Sequence, residues 1–294
     1  MFKNLFTLCF FLSLIACNLE EDIPNIENEN IGAFYKDSLT TCFTTSDKIS
    51  FNYPSNTTAP KIESITKYQS IDNEISITMD SFYYTENTDY VVAYKSTNDN
   101  RFHFEKYSYE DNLLTSISTF NSKDNINSYP PKIDSLIYNK NSQLIGIKEY
   151  YHQSGNSYKL LYETKYYYAN NLPVLKKKES TQYADFVSLT RYCWDNGNLV
   201  KSRHYSSSGD LNYEQTFAYD NHQNYKNLMP TEYSNPQSWS TNNLKTISTR
   251  DALGMANLQC GNPCEHEIIY SQHNDYPKAV NAGENAIYYE ITYK

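Results

Sequence analysis

His266-Glu267-Ile268-Ile269 opens like the zinc-protease helix motif, in which two histidines four residues apart hold the metal and the glutamate beside the first acts as base. The fifth position is Tyr270, and the local pattern is that of a strand, so this His and Glu would not share a helix face. Asp195 and Asp220 stand at matching places about 25 residues apart and would suit a pair of catalytic carboxylates. Each follows an aromatic and precedes Asn, however, which is where an Asp side chain bonds its own backbone to start a turn. No Gly-x-Ser-x-Gly elbow and no phosphate-cradling glycine loop is present. Asp220-Asn221-His222-Gln223-Asn224 lacks the alternating oxygen ligands of a calcium loop. No cofactor and no metal site is expected. A non-enzymatic protein is the leading expectation, with a hydrolase whose carboxylates meet only in the fold as the minor alternative.

The cysteines and the first residues give an address. MFKNLFTLCFFLSLIAC has one early Lys and an apolar run from Leu5 to Ala16. That run is too short for the about 20 residues a bilayer span needs, and it is laid out as a secretory signal. Leu14-Ile15-Ala16-Cys17 resembles the lipobox of bacterial lipoproteins, which implies a signal peptide over 1–16 and lipidation of Cys17. The following Asn18, Leu19, Glu20, Glu21 and Asp22 resemble the acidic export signal of Bacteroidota lipoproteins. This implies an outer-membrane protein, lipid-anchored and exposed at the cell surface. Residues 17–40 then read as a flexible acidic stalk and 41–294 as one β domain. Beyond the signal and Cys17, four cysteines remain, and an exported chain permits disulfides between them. Cys260 and Cys264, across a Gly/Pro turn, are one candidate pair; Cys42 and Cys193 are another. His266 near these thiols does not bring four zinc ligands into view.

The elements that would carry any site are strands. Tyr supplies 30 residues against 8 Gly and 10 Pro, a balance that favours strands joined by Asn/Asp/Ser turns. Aromatics stand before turns at Tyr84, Tyr109, Tyr138, Tyr168, Trp194, Tyr219 and Tyr270, with Trp239 a further member by spacing. Apolar residues follow several of them at Leu114, Leu144, Val174, Leu199 and Leu244. A period of about 25–30 residues defines the folding unit, two strands long, and roughly nine such units fit the chain. Alternation sets the faces. Tyr162, Thr164, Tyr166 and Tyr168 share one face, with Tyr167 an exception on the other. Leu211, Tyr213, Phe217 and Tyr219 share a face on which Gln215 is the exception. The expected fold is all-β: a single large antiparallel meander of repeated hairpins, curled into an open or closed soluble barrel-like sheet. Lys176-Lys177-Lys178-Glu179, Lys201 and Arg203 interrupt the apolar band that a membrane barrel needs. Net charge is −9 with Lys and Arg scattered, so nucleic acid is not expected as a partner.

Trp194-Asp195-Asn196-Gly197-Asn198-Leu199, Gly209 and Phe217-Ala218-Tyr219-Asp220 resemble the YD repeat of Rhs-type shells and wall proteins. Together with the lipobox and the Tyr/Asn-rich chain, they are similar to Bacteroidota lipoproteins with a porin-like β fold. FAYDNHQNYKNLMP and Asn242-Asn243-Leu244-Lys245 resemble the place where those proteins interrupt the repeat with a longer excursion. The resemblance implies a fold and brings no activity. Excursions from rigid sheets often bind, so Trp239, Tyr225 and Tyr233 are candidates for a surface that takes a glycan or a protein. Asp37-Ser38-Leu39 and Asp134-Ser135-Leu136 resemble the O-glycosylation motif of Bacteroidota exported proteins. The expected role is a surface binding or scaffold module, with an accessory subunit docked on an outer-membrane transport or secretion complex as the alternative.

Overall fold

A computed structural model describes residues 60–294 except 72–73, 85–90, 99–100, 124–128, 170, 231–232, 252, 254–263, 271–275 and 283–286. The signal segment, Cys17, the stalk, Ser38, Cys42 and Cys260 lie outside the described residues. The strands are β1 (Ile62–Ile71), β2 (Glu74–Tyr84), β3 (Val91–Asn98), β4 (Arg101–Glu110), β5 (Leu113–Phe120), β6 (Lys132–Tyr138), β7 (Leu144–His152) and β8 (Tyr158–Ala169). They continue as β9 (Leu172–Ser180), β10 (Val187–Asp195), β11 (Asn198–Tyr205), β12 (Leu211–Gln223), β13 (Asn242–Asp251), β14 (Cys264–Tyr270), β15 (Pro277–Ala282) and β16 (Ile287–Tyr293). Each pairs antiparallel with its neighbours in sequence, and β16 pairs back onto β1, with Ile65 opposite Ile291 and Lys67 opposite Tyr289. The sheet is therefore a closed 16-strand meander, which leaves no edge to template aggregation. Sixteen strands make eight two-strand units rather than nine, because Trp239 belongs to no strand.

Tight turns at one end of the barrel use Asn and Asp as well as Gly at positive φ. Asp111 (φ 49°) and Asn112 (φ 66°) join β4 to β5, and Asn196 (φ 48°) with Gly197 (φ 76°) join β10 to β11. Positive φ at both central positions matches the right-handed twist of the flanking strands, and Asn and Asp tolerate it because their short polar side chains bond locally.

At this same end the anchor aromatics tie the end of each hairpin's second strand to the start of its first. The hydroxyls of Tyr84, Tyr109, Tyr138, Tyr168 and Tyr219 donate to the backbone carbonyls of Ile62, Val91, Leu114, Leu144 and Leu199, at 2.7–2.9 Å. Trp194 Nε1 donates to the Pro173 carbonyl at 2.7 Å and Tyr293 to that of Pro277 at 2.7 Å. The period follows from this contact: an aromatic must recur at the interval that takes the chain out along one strand and back along the next, beside the carbonyl that opened the same hairpin. Each ring packs apolar surface while its polar tip satisfies a carbonyl. Tyr270 departs from the rule. Its hydroxyl donates to the Asp220 carboxylate and accepts from Asn243 Nδ2 at 2.9 Å, at the place where the meander is interrupted between β12 and β13.

Register fixes which side chains face inward. Lys132, Asp134, Glu149, Thr164, Tyr166, Lys176, Lys178, Thr190 and His204 occupy facing positions round the inner wall. The outer wall carries ion pairs in mid-strand, among them Lys148–Glu163 at 3.5 Å, Lys177–Glu179 at 3.1 Å and Arg203–Glu214 at 2.6 Å. Tyr167, the exception to alternation, joins Val174, Leu175 and Leu189 in a second apolar cluster, separate from the main core.

Candidate ligand site in the lumen

A 16-strand barrel is too wide for side chains alone to fill, and barrels of this size enclose a channel unless something plugs it. The plug here is the excursion between β12 and β13. Two 3-10 helices, Tyr225–Leu228 and Pro236–Trp239, are capped by Asn224 and Asn235, whose side chains accept from the N–H groups of Lys226 and Gln237. Met229 and Trp239 are buried in the main core, with Tyr225, Leu228 and Tyr233 packed against it. The Trp239 ring lies 5.4 Å from that of Tyr166. Polar ties hold the plug in register: Leu199 N–H donates to Ser240 Oγ at 3.0 Å, Tyr233 Oη to Asp134 Oδ2 at 2.5 Å, and Tyr166 Oη to the Ser234 carbonyl at 3.2 Å.

This corrects the expectation that Trp239, Tyr225 and Tyr233 form a binding surface. Trp239 is 3% exposed, and all three aromatics turn into the barrel because the lumen offers the apolar surface that their rings need. Pro230 and Pro236 break the strand pattern, but the chain they redirect enters the core instead of standing out from it.

Beneath the plug lies a cavity of about 340 Å³. Its inner wall is polar: Lys176 and Lys178 on β9, Thr190 on β10, Ser202 and His204 on β11, Gln215 on β12. Tyr192, Leu199 and Phe217 add apolar surface, and Asn235 and Gln237 of the plug overhang it. Gln215, the exception on its strand's apolar face, thus lines the lumen, with Nε2 donating to Thr249 Oγ1 at 3.3 Å. His204 stacks on Tyr213 with ring centroids 4.1 Å apart, and its nitrogens meet Thr190 Oγ1 at 3.1 Å and Ser202 Oγ at 3.2 Å. Burial pulls its pKa down to about 4, so the imidazole is neutral near pH 7. Burial, with Lys178 adding to it, brings the Lys176 ammonium down to about 8. Lys178 pairs with Glu149 at 2.5 Å, whereas the Lys176 amino group, among the described residues, meets the Ser234 carbonyl at 3.5 Å and the face of Tyr166.

The inner-wall carboxylates are engaged. Lys132 Nζ bridges Asp134 at 2.9 Å and Glu149 at 3.3 Å, and Tyr233 caps Asp134. Burial pushes Asp134 up despite the opposing pull of Lys132. Asp195 and Asp220 sit at turns: Asp195 ends β10 opposite Asn198. Asp220 accepts from the His222 and Asn243 N–H groups, which pins the start of the plug.

The remaining candidates fall elsewhere. Cys193 is buried on β10 and disulfide-bonded to a partner that lies outside the described side chains. Cys264 begins β14. His266 and Glu267 follow it on that strand and therefore point to opposite faces. Ser135 is half-buried in mid-β6, opposite Ser116 and Lys148. Sequence reasoning missed Lys176, Lys178, His204 and Gln215 as a group. The alternation of Lys176-Lys177-Lys178 carried the signal, since it places two of the three on one face.

No family model matches the sequence, and no curated protein matches it. The chain is similar in fold to a porin-like protein from Bacteroides vulgatus, with a TM-score of 0.51 at 10% identity, covering 80% of this chain and 99% of that one. A porin-like protein from Bacteroides uniformis matches more distantly, with a TM-score of 0.36 at 6% identity over 79% of this chain and 98% of that one. A TcdB2-TccC3 structure has a TM-score of 0.32 at 14% identity, over 76% of this chain and 14% of that one.

Proposed function

We propose that this chain is a non-enzymatic outer-membrane lipoprotein whose barrel is a rigid cup: the plug closes one end, and the cavity beneath it binds a ligand. The observation that carries this is the combination of a lumen plugged by a buried aromatic segment with polar side chains lining the space left over. A plugged lumen does not suit a pore. The mid-strand ion pairs of the outer wall do not suit contact with lipid, where charge at mid-depth costs about 2–4 kcal/mol for each Lys or Arg. Attachment through lipidated Cys17 is then the means of reaching the membrane. The chain enters β1 at the plugged end, where Lys294 N–H donates to the Lys61 carbonyl at 2.8 Å.

The test is a binding screen of the purified lipoprotein in mild detergent against a glycan library, with Gln215→Leu as the control. Hits weakened by that change support a lumenal ligand. Binding indifferent to it, or no binding at all, contradicts the proposal.

A second reading, docking on an outer-membrane transport or secretion complex, is favoured by one observation. Ile75, Ile77, Met79 and Tyr83 form an exposed apolar row along one face of β2, from 45% to 71% exposed. A partner co-purifying in near-equal amount with the native protein, and lost with Ile77→Asp, would make this reading primary.

A further inference from the structure

We propose that the cavity beneath the plug receives a carboxylate-bearing saccharide, with the Lys176 ammonium as the partner of the carboxylate. This rests on the proposal that the cavity binds a ligand, and adds the ligand's class.

Three features of the wall select that chemistry. The first is charge. Lys176 and Lys178 stand on the same face of β9, but Glu149 from β7 takes Lys178 at 2.5 Å. Lys176 meets a single carbonyl at the edge of hydrogen-bond range, at 3.5 Å, and an aromatic face. A part-buried ammonium held by a long carbonyl contact and a ring gains more from an incoming anion than an exposed one, because the lower local dielectric strengthens the pairing. The nearby Glu149 carboxylate disfavours a second negative charge on the ligand, so a monoanion fits better than a phosphate dianion.

The second feature is the hydrogen-bonding wall. Neutral His204, Thr190, Ser202, Gln215, Asn235 and Gln237 offer both donors and acceptors, as a set of sugar hydroxyls requires. The third is the apolar surface of Tyr192, Leu199 and Phe217, which suits the C–H face of a sugar ring. The cavity, about 340 Å³, sits at the small end of the range of about 300–1,000 Å³ for ligand clefts, so the bound portion is short.

Isothermal titration of the full lipidated chain distinguishes the outcomes, using short oligomers of galacturonate and glucuronate beside their neutral galactose and glucose counterparts. A uronate oligomer is expected to bind at pH 7, with its affinity reduced at least tenfold by Lys176→Met and unchanged by Lys177→Met, whose side chain faces the outer wall. Affinity should also fall as pH rises past about 8, where Lys176 sheds its proton. The groups facing that ammonium are Lys178 on its own strand, Tyr166 from β8, Glu149 from β7, and Thr190 and His204 from β10 and β11. The Lys176→Met protein should unfold at or above the wild-type temperature, since an under-compensated ammonium has been removed, which separates lost binding from lost folding.

Equal affinity for neutral and acidic oligomers, untouched by Lys176→Met, overturns the carboxylate assignment and leaves lumenal binding intact. Inorganic phosphate displacing the uronate at similar concentration shows that charge alone is read, and overturns the saccharide assignment. No heat from either class, in a protein that also fails the wider glycan screen, overturns both proposals.

Discussion

The two ends of the lumen are built on opposite rules. At the plugged end seven of the eight hairpins repeat one contact, an aromatic tip at the end of the second strand on a carbonyl at the start of the first, from Tyr84 on Ile62 to Tyr293 on Pro277. Beyond the plug, neighbouring strands differ. His103 pairs with Glu105, Lys132 bridges Asp134 and Glu149, and Lys176 with His204 and Gln215 lines the cavity. Repetition builds the scaffold, and individuality concentrates where the repeat leaves the inner wall free.

The largest effect should come from breaking the plug. Trp239→Ala empties a fully packed ring site against Tyr166 and should cost about 3–5 kcal/mol in equilibrium denaturation. A loss below about 1 kcal/mol would mean that the segment is a surface cover and that the two ends do not differ as described.

Next is the charged network beyond it. Lys132→Met leaves Asp134 and Glu149 facing each other across β6 and β7 without their shared cation. Because Lys132 is about a quarter exposed, the expected cost is about 2–3 kcal/mol, below that of a fully buried pair. Lowering the pH should restore part of it, since a proton on either carboxylate relieves the repulsion. Urea melts at pH 7 and pH 5 would check both the size and the direction.

A single anchor should matter less. Tyr138→Phe keeps the ring and removes one donor to the Leu114 carbonyl, at about 1 kcal/mol. The same change at Tyr168 should cost a similar amount, and the two should couple, since Tyr138 lies opposite Leu144, whose carbonyl Tyr168 bonds. Unequal costs would show that the repeat is less uniform than its geometry.

The smallest effect near pH 7 belongs to His204. Its folded pKa near 4 lies below the ordinary 6.5, so the unfolded chain takes up a proton that the folded one refuses. Stability should therefore decline as pH falls from about 6.5 to about 4, and His204→Gln should flatten that limb. Near pH 7 the imidazole is neutral in both states, so the difference is small there and grows only as the pH falls. Parallel pH–stability curves for the two proteins would contradict it.

The scaffold was legible in the sequence because it depends on local chemistry. Asn196-Gly197 announces a hairpin, and an aromatic before each turn announces the anchor. Even the exceptions to alternation carried meaning: Gln215 marks the wet lumen, and Tyr167 marks the second apolar cluster. The plug was not legible. Pro230, Pro236 and the surrounding Asn residues read as a loop, and whether a loop stands outside a sheet or fills it depends on the strand number and closure that only the whole meander determines. The charges of β9 bar membrane insertion only through the outward Lys177 and Glu179. The inward pair became interpretable once the register placed Lys176 opposite Thr190.

Amide hydrogen exchange of the intact protein, followed by mass spectrometry, tests the central claim most directly. Peptides spanning 224–241 should exchange as slowly as those of β10 and β11, while the far turns at 153–157 and 206–210 exchange within seconds. Exchange of 224–241 as fast as those turns would show that the segment does not close the lumen, and the cup would have no floor.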